Sequence, residues 1–229
     1  MSGEAQAPMA RRPGAGVTVC FAVKEEAKAF RDAAAALPQV RVLLTGMGRH
    51  NAERAMRAAL DKESPRLVVS SGFAGGLNPD LNHGAVVFST ESDAALQAAL
   101  QRAGAKPARF HCAEQVASSA EQKKALRAAT GADAVEMESE AIAKLCRERA
   151  VPCATIRVIL DTANEDLPLN FNQLMTPDQR LAPGKLALAL ARAPGKIPAL
   201  LRLQRQSAAA AERLAEVLQR FLGEVEQKA

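Results

Sequence analysis

Short apolar runs alternate with Ala- and Glu-rich segments along the first 165 residues. Apolar runs of about four to eight residues, bounded by turn residues, are typical of buried strands. We predict strands at 17–23, 40–44, 67–71, 85–89, 132–135 and 154–160. We predict helices at 24–37, 51–60 and 138–149. This alternation predicts an α/β fold, a single-domain three-layer α/β/α sandwich with a mixed, mostly parallel central sheet.

The pattern changes after Pro168. Residues 180–206 are rich in Leu, Ala and Arg, and residues 208–226 place their apolar side chains on one face of a helix. The predicted divisions are a disordered tail at 1–15, the α/β domain at 16–180 and a basic helical extension at 181–229. We expect the apolar face to pack on the domain or on a partner chain. Because Arg residues surround that face, contact with a membrane surface is the alternative.

The composition argues against several classes of protein. The 229 residues include no Trp and no Tyr, so a base-stacking surface for single-stranded nucleic acid is not expected. The four cysteines and three histidines have no metal-ligand spacing, so we predict no metal site. No apolar stretch reaches transmembrane length, and the N-terminal segment lacks the features of a signal peptide. We expect a cytoplasmic protein, with peripheral contact at the inner membrane as the alternative.

The net charge of +5 lies entirely in the C-terminal part of the chain. Residues 180–229 carry nine Lys or Arg and four Asp or Glu, whereas residues 1–179 carry twenty-one of each. A basic tail favours an acidic surface as its partner, and a solvated helix face is an equal alternative. Nucleic acid is not an expected partner, because no binding motif accompanies the charge.

Polar or glycine residues follow four of the predicted strands. Thr45, Gly72, Glu138 and Asp161 each come just after a strand. In open α/β sheets the ligand binds at the carboxyl ends of the strands, so we expect a site there. Partial burial would raise the pKa of Asp161 and make it a proton donor at neutral pH. A helix N-cap or turn role is the alternative for this residue.

Glu136 and Glu138 lie at a strand-to-helix junction. If Glu136 is still in strand conformation, both carboxylates point the same way and Met137 points opposite. Such a carboxylate can accept two hydrogen bonds from a vicinal diol, as ribose offers. The alternative is acidic charge at a helix N-terminus, which contributes ~0.3–1 kcal/mol.

Two glycine-rich turns complete the set of candidate segments. The backbone N–H groups of residues 45–49 could bind an anion, and residues 72–76 would let the backbone approach a flat ligand. Neither matches a Walker or Rossmann fingerprint, and both could be ordinary tight turns. Lys24 and Arg49, near the first turn, are candidates to bind phosphate.

Together and in this order, four segments resemble the purine nucleoside phosphorylase/uridine phosphorylase superfamily. They are TGMGRHNA (45–52), SGFAGGLNPDLNHGAVVFST (71–90), GADAVEMESEAIAKLC (131–146) and VPCATIRVILDTA (151–163). They are most similar to the branch of methylthioadenosine/S-adenosylhomocysteine nucleosidases and related small phosphorylases. The resemblance covers about residues 17–165 and implies a nucleoside phosphorylase-like fold and a homo-oligomer of at least two chains.

The resemblance implies cleavage of the N-glycosidic bond of a purine nucleoside or adenosyl derivative, with adenine the expected base, by hydrolysis or phosphorolysis. It implies that Asp161 is the acid at the base, that Glu138 binds the ribose hydroxyls and that Glu26 activates water. The other substrate-binding positions that we expect are Thr45, Gly46, Phe73, Ala74, Gly75, Val135, Glu136 and Met137. No cofactor is implied, and phosphate would be a co-substrate in phosphorolysis.

Some positions differ from the nucleosidases. Leu160 stands where a Ser often precedes the acid, and Gln122 falls where an aromatic residue would contact the base. The segment between Thr90 and Cys112 is also shorter than in the nucleosidases and lacks their His-Asp stretch, which implies a more open pocket and a substrate that is bulkier or more apolar at one end. A non-catalytic nucleoside-binding protein on the same fold is the alternative function.

The C-terminal segments LPLNF (167–171) and APGKIPALLRLQRQ (193–206) are similar to hopanoid-associated phosphorylases. Those proteins are linked to the removal of adenine from an adenosyl-lipid. This resemblance would give the basic amphipathic tail a membrane-binding role.

Overall fold

The computed structural model describes residues 14, 16–35, 37–92 and 94–226. The predicted tail at 1–15 lies outside the described residues, apart from Gly14. The strands are β1 (Val17–Phe21), β2 (Val40–Leu44), β3 (Leu67–Gly76), β4 (Val86–Thr90), β5 (Lys106–Pro107), β6 (Phe110–Cys112), β7 (Ala134–Glu136) and β8 (Cys153–Asp161). The helices are α1 (Lys24–Ala34), α2 (Arg49–Lys62), α3 (Ala94–Arg102), α4 (Ala120–Thr130), α5 (Ser139–Glu148), α6 (Phe171–Leu174), α7 (Pro183–Arg192) and α8 (Ile197–Glu226).

The strands form one mixed sheet in the order β2-β1-β3-β8-β4-β5. β1 is parallel to β2 and β3, and β3 is parallel to β8, whereas β4 is antiparallel to β8. β7 pairs antiparallel with the end of β3 at Gly75 and Gly76, and β6 is parallel to β7. The predicted mixed, mostly parallel sheet is therefore confirmed.

Alternate residues of the strands face two helical layers, as the side-chain period of a strand requires. Val19 and Phe21 of β1 pack in a core with residues of α1, α3 and α8. Cys20, between them, packs with Met56 of α2 and Ile142 of α5. The chain therefore forms the three-layer α/β/α sandwich that the alternation of elements predicts.

The C-terminal helix α8 is longer than the predicted helix at 208–226. It begins at Ile197, and Pro198 lies in its first turn, where the missing N–H has no intrahelical partner to lose. The second half of α8 packs in the domain core, since Leu214 and Phe221 are 1 % and 0 % exposed. Its first half is different, because Leu201 remains 48 % exposed.

The segment Gly72–Gly76 is not the predicted turn but the second half of β3. Its pairing with β8 continues to Gly75, with a register irregularity after Ala74. The interpretation of this segment as a tight turn was wrong. Glycine at position 72 serves close packing instead, since a Cβ there would lie 2.8 Å from both carboxylate oxygens of Glu26, and its φ is +140°.

Candidate active site

A cavity of about 300 Å³ opens beside the carboxyl ends of β1, β7 and β8. Glu26, Glu138 and Asp161, which lie far apart in the chain, all line it. The candidate catalytic and ribose-binding carboxylates therefore share one space. The predicted substrate-binding residues that also line it are Phe73, Ala74, Gly75, Val135, Glu136 and Met137.

Glu26 lies in the first turn of α1 and is 6 % exposed. Its carboxylate accepts hydrogen bonds from the backbone N–H of Ala22 at 3.0 Å, of Val23 at 3.3 Å and of Phe73 at 2.9 Å. Burial raises the pKa of Glu26, although Arg157 and these three N–H groups act in the opposite direction. The Glu26 side chain is thus held by backbone groups just after β1 and within β3.

Arg157, in the middle of β8, is a buried cation with 1 % exposure. Its Nη2 lies 2.6 Å from Glu136 Oε2 and 3.2 Å from Glu138 Oε2, and its Nη1 donates to the Ser71 carbonyl at 3.0 Å. Both glutamates therefore point toward the same group, as expected if Glu136 is in strand conformation. The sequence pattern did not identify Arg157, which reads as one charged residue inside an apolar strand.

Glu136 is engaged within the protein on several sides. Besides Arg157, its carboxylate accepts from the backbone N–H of Glu138 at 3.0 Å and of Ser139 at 2.8 Å, and from Ser139 Oγ at 2.7 Å. These are donors at the start of α5, so the carboxylate satisfies backbone groups that have no partner within the helix. Glu136 lines the cavity, but its carboxylate oxygens are hydrogen-bonded to groups of the protein itself.

Glu138 is the N-cap residue of α5 and is 6 % exposed. Its Oε1 accepts from the backbone N–H of Gly48 at 2.7 Å, and Oε2 faces Arg157. Burial raises the pKa of Glu138 to about 7; Arg157 opposes this shift, and the neighbouring Glu136 and Glu26 add to it. A carboxyl with this pKa changes its charge near neutral pH.

Asp161, the last residue of β8, forms an ion pair with Lys123 of α4. Lys123 Nζ lies 2.5 Å from Asp161 Oδ2. Burial raises the pKa of Asp161, and Lys123 acts against this shift. Lys123 was not identified from the sequence, where it appears as one of two adjacent lysines in a polar segment.

The structure places four expected residues away from the cavity lining. Thr45 is buried, and its hydroxyl lies 3.2 Å from the Phe21 carbonyl and 3.0 Å from the Gly46 carbonyl. Thr45 and Gly46 therefore take part in hydrogen bonds with the neighbouring backbone. Lys24 is exposed, and Arg49 forms an ion pair with Glu140. Neither cation is among the described residues that line the cavity.

Gln122 also lies outside that lining. Its side chain accepts from the backbone N–H of Ser118 at 2.8 Å and of Ser119 at 3.3 Å, which caps the start of α4. The position that the resemblance aligned with a base-contacting aromatic residue therefore has a capping role in this chain.

Part of the cavity lining comes from the C-terminal region. Leu167, Phe171 of α6, and Leu203 and Ser207 of α8 all line it. Leu203 and Ser207 lie in the segment that was predicted to be an extension and not part of the site. Their contribution depends on the way α8 crosses the domain, which no local pattern encodes.

The described part of the chain offers no candidate metal centre and no membrane span. Within residues 14, 16–35, 37–92 and 94–226, no group of three or more His, Cys, Asp or Glu side chains could hold a metal ion. In the same ranges, every helix is too short or too polar to cross a membrane.

A three-layer α/β/α sandwich with a cavity at the strand ends is the arrangement in which α/β proteins bind their ligands. The model of the phosphorylase superfamily matches residues 35–94 and 91–192, which together make up more than half of the chain. The chain belongs to the phosphorylase superfamily.

Two curated relatives are nucleosidases. A 5'-methylthioadenosine/S-adenosylhomocysteine nucleosidase from Anoxybacillus flavithermus is 29 % identical over 168 residues, which are 58 % of this chain and 72 % of that protein. The enzyme of the same name from Glaesserella parasuis is 29 % identical over 169 residues, 59 % of this chain and 74 % of that protein.

Solved structures show the same fold. The futalosine hydrolase of Helicobacter pylori superposes with a TM-score of 0.69 at 17 % identity, and the match covers 92 % of this chain and 98 % of that one. A 5'-methylthioadenosine/S-adenosylhomocysteine nucleosidase from Colwellia psychrerythraea, in complex with adenine, superposes with a TM-score of 0.66 at 17 % identity, covering 92 % and 95 %.

Proposed function

We propose that this protein cleaves the N-glycosidic bond of an adenosine derivative, with Asp161 as the acid at the base and Glu138 on the ribose hydroxyls. The observation that carries the proposal is the convergence of Glu26, Glu138 and Asp161 on one cavity. The names of the curated relatives, which are nucleosidases, support the same reaction class.

The chemistry needs acidic groups at both ends of the breaking bond. The bond breaks with its electron pair on the base, and the proton of Asp161 goes to a ring nitrogen of that base. Positive charge develops on the ribose, where buried carboxylates stabilise it electrostatically. Acid assistance of this kind contributes ~10²–10⁴-fold to the rate.

We propose hydrolysis as the form of the reaction. Glu26 lines the cavity and, when ionised, can take a proton from water as the water oxygen bonds to the sugar carbon. The two phosphate candidates, Lys24 and Arg49, are not among the described residues that line the cavity, which favours water over phosphate as the nucleophile.

Adenine release from methylthioadenosine tests this proposal, measured with and without inorganic phosphate. We expect equal rates in both conditions. Asp161→Asn should lose turnover ~10²–10⁴-fold and still bind adenine in calorimetry. The exposed Asp80→Asn serves as a matched control and should behave as wild type. Strict phosphate dependence would contradict hydrolysis, and unchanged turnover in the Asp161 variant would remove its role as the acid.

We further propose that the 5′ substituent of the substrate is apolar. The support is the group of residues Leu167, Phe171 and Leu203 in the cavity lining. Apolar surface of this kind favours a ligand group that leaves water on binding, by about 25 cal/mol per Å² buried. Comparison of kcat/KM for methylthioadenosine and adenosine measures this preference, and equal values would contradict it.

The C-terminal surface supports a peripheral contact with an anionic membrane. Residues 179–211 contain six Lys or Arg and no Asp or Glu. The large apolar side chains exposed there are Leu181 (44 %), Leu188 (49 %), Ile197 (43 %) and Leu201 (48 %). Apolar groups interspersed with cations are the pattern of interfacial helices. We expect co-sedimentation with phosphatidylglycerol vesicles that salt weakens; equal binding to neutral vesicles would contradict the electrostatic contribution.

We also propose an assembly of at least two chains, as the family resemblance implies. Sedimentation velocity should give a species of at least twice the chain mass of 24.2 kDa. A single species of 24.2 kDa across the accessible concentration range would overturn this proposal.

A further inference from the structure

We propose that Lys123 is a positioning residue for the reaction: its ammonium group holds the Asp161 carboxylate at the cavity and stabilises the charge that Asp161 carries after it has donated its proton. This inference rests on the proposed function of Asp161. Lys123 is not among the residues that line the cavity and acts on the substrate through Asp161.

The surroundings of Lys123 fit a charged ammonium. The residue is 0 % exposed, and its Nζ lies 2.5 Å from Asp161 Oδ2, 2.8 Å from the Thr162 carbonyl and 2.7 Å from the Glu165 carbonyl. Three oxygen acceptors match the three N–H groups of a lysine ammonium. A fully buried lysine is rare and requires such partners, because an unpaired charge in the interior is very costly.

Backbone hydrogen bonds connect the two segments that carry Lys123 and Asp161. The backbone N–H of Ala120, at the start of α4, donates to Asp166 Oδ1 at 2.8 Å, and the N–H of Leu167 donates to the Ser118 carbonyl at 2.9 Å. These bonds join α4 to the loop that follows β8. Lys123 completes the junction with its bonds to Asp161 and to two carbonyls of that loop, so it restricts where the acid can lie.

Proton donation explains why a cation is useful at this point. When the O–H bond of Asp161 breaks and the proton moves to the base, a carboxylate remains in a largely desolvated site. A neighbouring opposite charge favours that ionised form. Lys123 therefore makes Asp161 a stronger acid than burial alone would allow.

Two further titratable groups interact with Asp161. Glu165 acts to raise the pKa of Asp161, and His83 acts to lower it. His83 Nε2 lies 2.7 Å from Glu165 Oε2, and that carboxylate also accepts from the backbone N–H and the hydroxyl of Thr162, each at 2.9 Å. Partial burial acts to raise the pKa of Glu165, but these hydrogen bonds hold it at about 2. Glu165 therefore stays ionised where activity is measured.

The decisive comparison is between Lys123→Met and Lys124→Met. Methionine keeps much of the length of lysine without its charge, and Lys124 is the exposed neighbour in the same helix. We expect the alkaline limb of the kcat/KM profile to move up by about one to three pH units in the Lys123 variant, because its Asp161 stays protonated longer. We also expect its limiting rate to fall, by less than the ~10²–10⁴-fold loss of the Asp161→Asn variant. The Lys124 variant should follow wild type.

A second readout does not need activity. The ¹³C carboxyl signal of Asp161, assigned with Asp161→Asn, should titrate at higher pH in Lys123→Met than in wild type. If circular dichroism shows that this variant does not fold, Lys123→Gln removes the same charge and carries the same test. An unchanged alkaline limb and an unchanged carboxyl titration in a folded variant would overturn the proposal. An inactive wild-type protein would instead overturn the proposed function, and the NMR titration would still decide whether Lys123 sets the charge of Asp161.

Discussion

Arg157 Nη2 lies 2.6 Å from Glu136 Oε2 in a part of the sheet where both side chains are almost fully buried. Glu138 contacts the same guanidinium at 3.2 Å, and the charge of Glu26 also interacts with it. Three buried carboxylates thus share one buried cation. The cation compensates part of the negative charge of these carboxylates, and its removal would leave them without compensation.

Arg157→Met should therefore destabilise the fold strongly. Breaking a buried ion pair by removal of one partner costs about 3–5 kcal/mol. Urea denaturation near neutral pH measures the change, with the exposed Arg31→Met as the control that should change little. Addition of Glu136→Gln to the Arg157 variant should restore part of the loss, since one uncompensated charge is removed. Wild-type stability in Arg157→Met would show that the carboxylates are neutral in the folded protein.

Glu138 should make the stability of the fold depend on pH. Its pKa is raised from 4.5 to about 7, so the folded state prefers the protonated form. This stabilising contribution is complete below pH 4.5 and is lost as pH rises through about 7. The free energy of unfolding of Glu138→Gln minus that of wild type should therefore increase over this range. Glu140→Gln, an exposed carboxylate two residues along, should show no such trend.

The same ionisation should affect substrate binding. In the proposed function the charged form of Glu138 would accept hydrogen bonds from both ribose hydroxyls, so KM for wild type should fall as pH rises through about 7. In Glu138→Gln this change in KM should disappear. A KM that is independent of pH in wild type would contradict a role for the ionised carboxylate on the sugar.

Glu26→Gln should reduce hydrolysis without preventing substrate binding. The amide oxygen can still accept from the N–H groups of Ala22 and Val23, although the amide NH2 cannot accept from the Phe73 N–H. The amide cannot take a proton from water, which should cost ~10²–10⁴-fold in kcat. Glu25→Gln is a matched control, because the adjacent carboxylate is exposed and Glu26 is 6 % exposed. Single-turnover adenine release measures the effect. A rate equal to that of wild type would assign water activation to another group.

Gly48→Ala should weaken both the fold and the contact with Glu138. Gly48 has φ +82°, and a Cβ there would lie 1.4 Å from Gln179 Oε1. A residue with a side chain in this backbone region costs about 1–3 kcal/mol. Because the Gly48 N–H donates to Glu138 Oε1 at 2.7 Å, displacement of the turn should also raise KM.

Two control variants separate the steric overlap with Gln179 from the backbone strain at Gly48. Gln179→Ala in addition to Gly48→Ala removes the overlap but not the backbone strain, so recovery should be partial. Gly184→Ala should not destabilise the fold, since a Cβ there meets no atom within 4 Å and the position lies in helix α7, which favours Ala over Gly. Full stability and an unchanged KM in Gly48→Ala would show that the turn adapts without cost.

Leu203→Asn should change substrate preference. Leu203 lines the cavity, whereas Leu201, two residues earlier in α8, is 48 % exposed. The ratio of kcat/KM for methylthioadenosine to that for adenosine should fall in the Leu203 variant. We expect a fall of no more than about 200-fold, because one methylene in an apolar pocket changes kcat/KM by about 10- to 200-fold. Leu201→Asn should keep the ratio and weaken vesicle binding. An unchanged ratio in Leu203→Asn would contradict an apolar 5′ subsite.

The sequence by itself indicated strands β1, β2, β3, β4, β7 and β8 and helices α1, α2, α5 and the second half of α8, because buried strands and amphipathic helices leave periodic apolar patterns in the chain. It did not indicate β5, β6, α3, α4, α6 or α7. It also indicated Glu138 and Asp161 by their position after predicted strands, and family resemblance indicated these two residues and Glu26. These features are local, so they can be recognised from short stretches of the sequence. The predicted turn at 72–76 failed because glycine marks close packing as well as chain reversal.

The tertiary structure alone decided which partners the charges have. Nothing near Lys123 in the chain indicates its contact with Asp161, 2.5 Å away, and nothing near Arg157 indicates three glutamates from other elements. The same holds for Leu203, which reaches the cavity because α8 packs across the domain. Burial and charge pairing depend on atoms from distant segments, and the energy of a buried charge is set by those neighbours.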